Sequence, residues 1–129
     1  ENQPAGGSET ILLVEDDEDV RDLALAILKR NGYTVLVAES GPEALFMLKN
    51  HKGPLHLILT DVVMPEMNGR QLFDQASVIY PDVKALYMSG YTRDVIAHRG
   101  VINAGVNFIQ KPFSVKLLAT SIREVLDEH

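Results

Sequence analysis

The chain of 129 residues contains no cysteine and no tryptophan, and aromatic residues make up only 6% of it. Without cysteine, neither disulfide bonds nor thiolate metal sites are available, which is typical of a reducing compartment, so we expect a cytoplasmic protein. Basic residues are also few, since 12 Lys and Arg against 18 Asp and Glu give a net charge of -6. Because a phosphate backbone is bound by a clustered basic face, we expect no direct contact with nucleic acid.

Long hydrophobic runs are missing as well. The longest are the length of a strand, far short of the roughly 20 residues of a membrane-spanning helix, so we expect no direct membrane contact. The glycines form neither a P-loop nor a dinucleotide-binding pattern, which disfavours nucleotide and flavin binding. The histidines show no ligand-like clustering, and they are His51, His56, His98 and His129.

The size of the chain and its 46% hydrophobic content fit one domain with a single core between two helical layers. The polar, Gly-containing start ENQPAGGS is typical of a linker or a remnant of cloning. We therefore assign residues 1–8 to a linker and residues 9–129 to the domain. We also infer that the chain is a piece of something longer.

Short β-rich runs alternate with amphipathic stretches, a pattern that predicts βαβ units and a doubly wound parallel sheet of the α/β class. The five predicted strands cover residues 11–14, 34–38, 57–60, 84–88 and 106–110. The five predicted helices cover residues 17–31, a stretch capped by Ser40, a stretch after the turn VVMPEMNG, a weak helix at 93–99, and a stretch capped by Ser114. Their expected core-facing residues include Val20, Leu23, Ala24, Ile27 and Leu28, then Leu72, Phe73, Ala76, Ile79 and Tyr80, and finally Leu117, Leu118, Ile122, Val125 and Leu126.

Polar side chains follow four of the predicted strands. Glu15 and Asp16 follow the first, and the later ones end in Asp61, Ser89 and Lys111. Right-handed crossovers place the carboxyl ends of parallel strands on one edge of the sheet, where ligands bind. The sequence therefore predicts a pocket of carboxylates that contains one cation.

Carboxylates gathered in this way repel one another by roughly 1 to 4 kcal/mol per pair at ~4 Å, depending on screening. A hard divalent cation such as Mg²⁺, which prefers oxygen ligands, would remove the conflict. Asp61 would then be both a metal ligand and a nucleophile that forms an acyl phosphate. Lys111 would neutralise charge on the transferring oxygens, and Ser89 would donate a hydrogen bond to one of them.

The order and spacing of these residues resemble the receiver domain of two-component response regulators. Four motifs carry the resemblance, which covers about residues 9–127: VEDD at 14–17, DVVMPEMNG at 61–69, MSG at 88–90 and KPF at 111–113. The resemblance implies a flavodoxin-like (βα)5 three-layer sandwich whose parallel strands are ordered 2-1-3-4-5. It also implies a cis bond between Lys111 and Pro112.

The resemblance also implies a role for each site residue. Asp61 would be the phosphoacceptor, Lys111 the essential lysine, Ser89 the switch hydroxyl and Phe108 the rotameric aromatic of the switch. The Mg²⁺ site would comprise Asp16, Asp61, the acidic partner Glu15 and the backbone carbonyl of Val63, with Asp17 as a possible addition. Phe108 has an equally good interpretation as a strand aromatic that fills the core.

By the same resemblance, the phosphoryl donor is the phosphohistidine of a histidine kinase or a histidine phosphotransfer domain. Such a domain catalyses its own phosphorylation and slow dephosphorylation. The leading linker and the stretch MSGYT resemble the C-terminal receiver of a hybrid sensor histidine kinase. A stand-alone regulator or the N-terminal receiver of one is the alternative. A homodimer would use the face of the fourth predicted helix, the fifth strand and the last helix.

Two simpler interpretations compete with this assignment. Acids after a strand often stabilise the start of a helix, and Asp17 or Asp19 fits that role. A phosphohydrolase of the haloacid dehalogenase type also uses a strand-end Asp with Mg²⁺, Ser or Thr, and Lys. That family places its nucleophile after the first strand in a DxDx[TV] pattern, whereas this chain has EDDED there and is too short for a substrate cap.

Overall fold

The computed structural model describes residues 6–90 and 106–128, which form a parallel sheet of five strands in the order β2-β1-β3-β4-β5. The strands are β1 (Thr10–Val14), β2 (Thr34–Ala38), β3 (Leu57–Asp61), β4 (Lys84–Ser89) and β5 (Phe108–Gln110). The helices in the described ranges are α1 (Glu18–Arg30), α2 (Gly41–Asn50), α3 (Gly69–Ile79) and α4 (Val115–Leu126). The predicted sheet and its strand order are confirmed. The helix predicted at 93–99 lies outside the described residues, as do His98 and His129.

The sheet separates two apolar layers. Leu12 and Val14 of β1 face a cluster completed by α2 and α3, whereas Ile11 and Leu13 face a cluster completed by α1 and α4. Both β1 and β3 are buried along their whole length, which is why their sequences are continuous apolar runs rather than alternating ones. Burial on both faces leaves only the strand ends available for a ligand.

The strand registers bring those ends together. Val14 pairs with Thr60, Asp61 pairs with Met88, and Ser89 pairs with Gln110. Because every pair is parallel, the residues that directly follow β1, β3, β4 and β5 emerge on one edge of the sheet. This edge carries the polar residues singled out in the sequence.

Side-chain caps determine where the helices begin. The Asp17 carboxylate accepts from the backbone N–H of Asp19 at 2.9 Å, and Ser40 and Ser114 cap α2 and α4 as predicted. The stop after α1 uses Gly32, whose φ of 97° lies in the left-handed region that glycine tolerates. None of the helices in the described ranges has the length and apolar character needed to cross a bilayer.

Three residues expected in the core are exposed instead, and for these the prediction was wrong. Leu23, Ile79 and Leu117 are 46%, 39% and 46% exposed. The sheet covers only a narrow stripe of each helix, and Leu23 and Leu117 lie outside the stripes, while Ile79 is the last residue of α3. Strand β5 is also shorter than the predicted 106–110, because it is an edge strand that pairs with β4 alone, starting at Phe108.

Residues just before β1 contact the C-terminal parts of α1 and α4. Gly7 donates its backbone N–H to the Asn31 carbonyl at 3.1 Å, and Arg123 Nη1 of α4 donates to the Gly6 carbonyl at 3.1 Å. The Arg123 guanidinium also forms an ion pair with Glu9 at 2.7 Å. The chain therefore enters β1 along the C-terminal part of α4. The boundary placed between residues 8 and 9 stays a prediction.

Candidate functional site

An open cleft at the carboxyl edge of the sheet is lined by the strand-end residues. Its lining residues are Glu15, Asp16, Asp17, Asp61, Val63, Ser89, Gly90 and Lys111. The structure thus brings together all the predicted site residues except Phe108. The turn after β1 supplies the first three of them, and the ends of β3, β4 and β5 supply most of the others.

Among the described residues that line the cleft, Lys111 is the one cation, and two carboxylates share it. Its Nζ lies 2.7 Å from Glu15 Oε1 and 3.3 Å from Asp61 Oδ2. The backbone of Lys111 is fixed because its N–H donates to the Ser89 carbonyl at 2.8 Å, just beyond β5. The peptide bond to Pro112 is cis, as the sequence resemblance implied. The ammonium is therefore held between the ends of β1 and β3.

Glu15 is the most deeply buried acid, with no exposed side-chain surface. Its Oε2 accepts from the backbone N–H of Asp17 at 3.0 Å. Burial raises the pKa of the Glu15 carboxyl, although the nearby Lys111 ammonium acts in the opposite direction. Its Oε1 is buried without a directed hydrogen bond, so the nearby ammonium holds it as an ion pair only.

Asp61 is less buried, with 11% of its side chain exposed to the cleft. Burial raises the pKa of the Asp61 carboxyl, Lys111 lowers it, Asp16 raises it further and a backbone hydrogen bond from Val63 lowers it, with a net upward shift. For Lys111, burial lowers the pKa, but Glu15 and Asp61 outweigh burial and raise it. Lys111 therefore remains an ammonium at neutral pH.

The three acids fit a hard divalent cation. One carboxylate oxygen from each of Glu15, Asp16 and Asp61 lies within 4.8 Å of the others. All the donors are oxygens, as Mg²⁺ prefers, and one of them, Glu15 Oε1, is buried without a directed hydrogen bond. Among the described lining residues, one ammonium faces these three carboxylates, which leaves an excess of negative charge that a cation would offset. The donor chemistry therefore supports the predicted magnesium site.

Asp17 has a different task in this structure. Its Oδ1 accepts from the backbone N–H groups of Asp19 and Val20 at 2.9 and 3.2 Å, which makes it the N-cap of α1. The group of three acids comprises its two preceding neighbours and Asp61 but not Asp17. The helix-start interpretation of Asp17 accounts for its position.

Ser89 and Phe108 differ in their relation to the cleft. Ser89 is 1% exposed and lines the cleft at the end of β4. Phe108 is half-buried and packs against a cluster formed by Val62 and Tyr87. The packing of Phe108 fits its interpretation as a core aromatic, and its switch role stays a prediction.

The loop after Asp61 depends on a close approach between β3 and α3. Gly69 donates its N–H to the Val62 carbonyl at 2.9 Å, and a Cβ at Gly69 would lie 2.5 Å from the carbonyl oxygen of Asp61. The next helix begins with a capping box between Asn68 and Gln71. Sequence analysis missed this box, although its N-x-x-Q spacing was readable.

Arg21 is the other residue that sequence analysis missed. Its Nη1 donates to the Glu15 carbonyl at 3.0 Å, from one turn into α1. The available signal was a basic residue near the start of α1, the helix that follows the acids Glu15 and Asp16. The role of Arg21 was overlooked because its partner is a backbone carbonyl, and a sequence does not show which carbonyl a side chain will contact.

Comparison with known proteins identifies the family. A model of the response regulator receiver domain matches residues 11–123. The chain belongs to the response regulator receiver domain family. The sensor kinase CckA from Brucella abortus is 42% identical over 122 residues, which cover 95% of this chain but only 13% of that protein. The receiver protein CpdR from Brucella abortus is 34% identical, covering 90% of this chain and 95% of that protein.

Solved receiver structures share the fold. The receiver domain of the hybrid histidine kinase CckA superposes with a TM-score of 0.77 at 33% identity, covering 92% of this chain and 99% of that one. A CheY-like receiver from Methanospirillum hungatei JF-1 superposes with a TM-score of 0.77 at 31% identity, covering 94% and 95%. The predicted family, the flavodoxin-like fold and the likeness to a hybrid kinase receiver are confirmed.

Membership of the family carries a general function. Receiver domains serve phosphorylation-based signalling in two-component systems, interact with histidine kinases or phosphotransfer proteins, and bind Mg²⁺ at an acidic pocket. This chain has such a pocket in Glu15, Asp16 and Asp61.

Proposed function

We propose that this receiver domain accepts a phosphoryl group from a phosphohistidine onto Asp61 in the presence of Mg²⁺. The observation that carries the proposal is the position of the Asp61 carboxylate, 3.3 Å from the Lys111 ammonium and within 4.8 Å of oxygens of Glu15 and Asp16. Glu15, Asp16, Asp61 and the carbonyl of Val63 would hold the metal. Mg²⁺ bound there would neutralise charge on the phosphoryl oxygens.

The transfer is a displacement at phosphorus. A carboxylate oxygen of Asp61 forms the new O–P bond, the N–P bond of the phosphohistidine breaks, and the imidazole leaves with the bonding electrons and takes up a proton. Asp61 acts as the nucleophile, and the Lys111 ammonium beside it opposes the upward shift that burial imposes on the pKa of its carboxyl. The opening of the cleft above Asp61 admits the donor.

Two further residues respond to the phosphoryl group in this proposal. The Lys111 ammonium, which pairs with the Asp61 carboxylate before transfer, pairs with a phosphoryl oxygen afterwards. The Ser89 hydroxyl donates a hydrogen bond to a second phosphoryl oxygen. Movement of Ser89 towards the phosphoryl group makes room for Phe108 to turn inward. The rearranged face would include β4, β5 and the helix predicted at 93–99, which lies outside the described residues. A homodimer would use that predicted helix together with β5 and α4.

The relatives support a proposal for the donor and for the parent protein. A histidine kinase or a histidine phosphotransfer domain supplies the phosphoryl group, in the cytoplasm, without direct contact with nucleic acid or membrane. The 42% identity to CckA supports a hybrid sensor histidine kinase as the parent. The 34% identity to CpdR, which this chain covers almost completely, supports the stand-alone receiver as the second candidate.

Intact-mass spectrometry tests the proposal directly. The native protein, incubated with acetyl phosphate and Mg²⁺, should gain about 80 Da per molecule, and hydroxylamine should remove the gain because it cleaves acyl phosphates. Asp61→Asn and an EDTA-treated sample should show no gain. Asp22→Asn, which changes an exposed acid of α1, is the matched control and should be phosphorylated normally.

Two results would contradict the proposal. A mass gain that survives Asp61→Asn would place the phosphoryl group on another residue. The absence of any gain in the native protein, with acetyl phosphate and with a phosphorylated kinase as donors, would mean that the cleft does not accept phosphoryl groups.

A further inference from the structure

Arg21 lies against the peptide that joins the two acids of the cleft. It is half-buried on α1, and its Nη1 donates to the Glu15 carbonyl at 3.0 Å. This contact joins a charged guanidinium to the backbone of the metal-binding turn rather than to any carboxylate. Its effect on the cleft therefore acts through the backbone.

The Glu15 carbonyl lies just beyond the sheet. The registers of β1 with β2 and with β3 both end at Val14, and the Glu15 N–H makes one further bond to the Ala38 carbonyl at 3.2 Å. A buried carbonyl at this point needs a donor, since leaving it without one costs roughly 1 to 3 kcal/mol. The Arg21 guanidinium supplies a charge-assisted hydrogen bond, which is stronger than a neutral one.

This bond determines how Asp16 leaves the sheet. The Glu15 carbonyl and the Asp16 nitrogen belong to one planar peptide unit, so orienting the carbonyl also orients the bond that leads to Asp16. On the far side of that unit, the Asp17 N–H donates to Glu15 Oε2 at 3.0 Å, and the Arg21 N–H donates to the Asp17 carbonyl at 2.9 Å. Arg21 therefore contacts this turn twice, through its backbone N–H at Asp17 and through its side chain at Glu15.

We propose that Arg21 is a positioning residue for the divalent cation, and this inference rests on the proposed function. Its guanidinium holds the Glu15–Asp16 peptide so that both carboxylates approach Asp61. Asp16 is exposed, whereas Glu15 and Asp61 are buried, so Asp16 depends most on the orientation of its backbone. Loss of the side chain should weaken cation binding without removing a ligand.

A titration with MgCl2 alone, followed by backbone amide NMR, tests the proposal without any phosphodonor. The samples are the native protein, Arg21→Met, Arg21→Gln and Arg21→Lys. Arg21→Met should raise the dissociation constant for Mg²⁺ about tenfold, the lower end of what is seen when a group that orients metal ligands is lost. Arg21→Gln and Arg21→Lys, which keep a donor, should recover part of the affinity.

The matched control is Arg30→Gln, which removes the same charge from an exposed position at the end of α1. Its dissociation constant should equal that of the native protein. An equal loss in Arg30→Gln and Arg21→Met would show a general charge effect and overturn the proposal. So would an unchanged dissociation constant in Arg21→Met, or a native protein that binds no Mg²⁺.

A second readout separates positioning from chemistry. With acetyl phosphate, Arg21→Met should need about tenfold more Mg²⁺ for half-maximal phosphorylation but reach a rate within about twofold of native at saturation. A rate that stays low at saturating Mg²⁺ would overturn the positioning role. If the native protein binds Mg²⁺ but is never phosphorylated, the proposed function fails while the titration still decides the role of Arg21.

Discussion

At the scale of single residues, the cleft holds carboxyl groups in a place where burial opposes their ionisation. Glu15 has no exposed side-chain surface and Asp61 has 11%, and burial raises the pKa of both. One ammonium, that of Lys111, is shared between them. The remaining negative charge is unfavourable in a buried place, and a bound cation would relieve it.

Asp61→Asn should stabilise the metal-free protein at neutral pH. Because its pKa is raised, the Asp61 carboxyl binds its proton more tightly in the folded state than in the unfolded chain. Its contribution to stability is therefore complete below the ordinary pKa of 3.8, and it is lost as pH rises through the higher pKa of the folded state. The amide carries no charge at any pH. In urea unfolding with EDTA at pH 7, the free energy of unfolding should rise by on the order of 1 kcal/mol.

The pH dependence provides the check on that prediction. The difference between Asp61→Asn and the native protein should shrink as pH falls through the raised folded pKa, and it should reach its minimum below pH 3.8, where the native carboxyl is protonated in both states. A variant that is less stable at pH 7, or a difference that does not change with pH, would show that the Asp61–Lys111 ion pair outweighs burial.

At the scale of elements, the site depends on how closely α3 approaches the end of β3. The approach at Gly69 is too close for any side chain, since a Cβ would lie 2.5 Å from the Asp61 carbonyl oxygen and 3.0 Å from Thr60 Cγ2. The first of these atoms is backbone, which cannot turn away as a side chain can. The loop that carries Val63 is therefore fixed at both ends by the position of one glycine.

Gly69→Ala should consequently lower both stability and phosphorylation. Displacing α3 from β3 should cost about 1 to 3 kcal/mol of the free energy of unfolding, the usual range for overpacking. Gly90→Ala is the matched control for stability, because a Cβ there meets no atom of the described residues within 4 Å. Urea unfolding of both variants is the measurement, and equal stability of the two would contradict the steric argument.

A second element-scale contact joins the chain entering β1 to α4. The pair between Glu9 and Arg123 is shielded, with side chains 26% and 19% exposed, and the hydrogen bond from Arg123 lowers the pKa of Glu9 below its ordinary 4.5. A lowered pKa gives stability that is present above pH 4.5 and is lost as pH falls through the folded value. The entry of the chain is thus held by a pH-dependent contact.

Glu9→Gln should lower the free energy of unfolding at pH 7 by about 0.5 to 1 kcal/mol, the upper range for pairs near the surface. The loss should disappear as pH falls well below 4.5, where Glu9 itself is protonated. Asp74→Asn is the control, since its pair with Arg70 is more exposed, at 59% and 38%. Thermal unfolding between pH 3 and 7 distinguishes the two, and a larger effect of Asp74→Asn would contradict the ranking by burial.

At the scale of the whole molecule, cation binding and folding are linked. The three acids of the cleft come from β3 and the turn after β1, so they lie within 4.8 Å of one another only when the sheet has formed. A ligand that binds the folded state alone stabilises it by mass action. Mg²⁺ should therefore raise the stability of the entire domain, although it contacts one edge.

The expected size of this effect is about 1.4 kcal/mol when free Mg²⁺ is tenfold above its dissociation constant. Urea unfolding in MgCl2, compared with NaCl at equal ionic strength, is the measurement. Asp16→Asn removes an exposed carboxylate that we propose as a ligand, and it should abolish most of the increase. An equal increase in this variant would mean that Mg²⁺ acts elsewhere on the protein.

Much of the fold was predictable because the signals are local. The continuous apolar run before Glu15 predicts a strand buried on both faces, and Ser40, Ser114 and Gly32 mark helix boundaries through hydrogen bonds and backbone conformations within a few residues. The exposed positions of Leu23 and Leu117 were not predictable in the same way. Helical spacing shows which residues share a face, but the width of the covered stripe depends on the sheet beneath.

The sequence by itself determined which chemical groups the site would contain, because polar residues after parallel strands must meet at one edge of the sheet. Only the tertiary structure decided which of those groups contact one another and which cap a helix. Asp17 caps α1 while Asp16 joins Glu15 and Asp61, and Arg21 holds the Glu15 carbonyl. These assignments depend on distances between β1, β3, β5 and α1, and such distances are determined by packing between elements rather than by the order of residues along the chain.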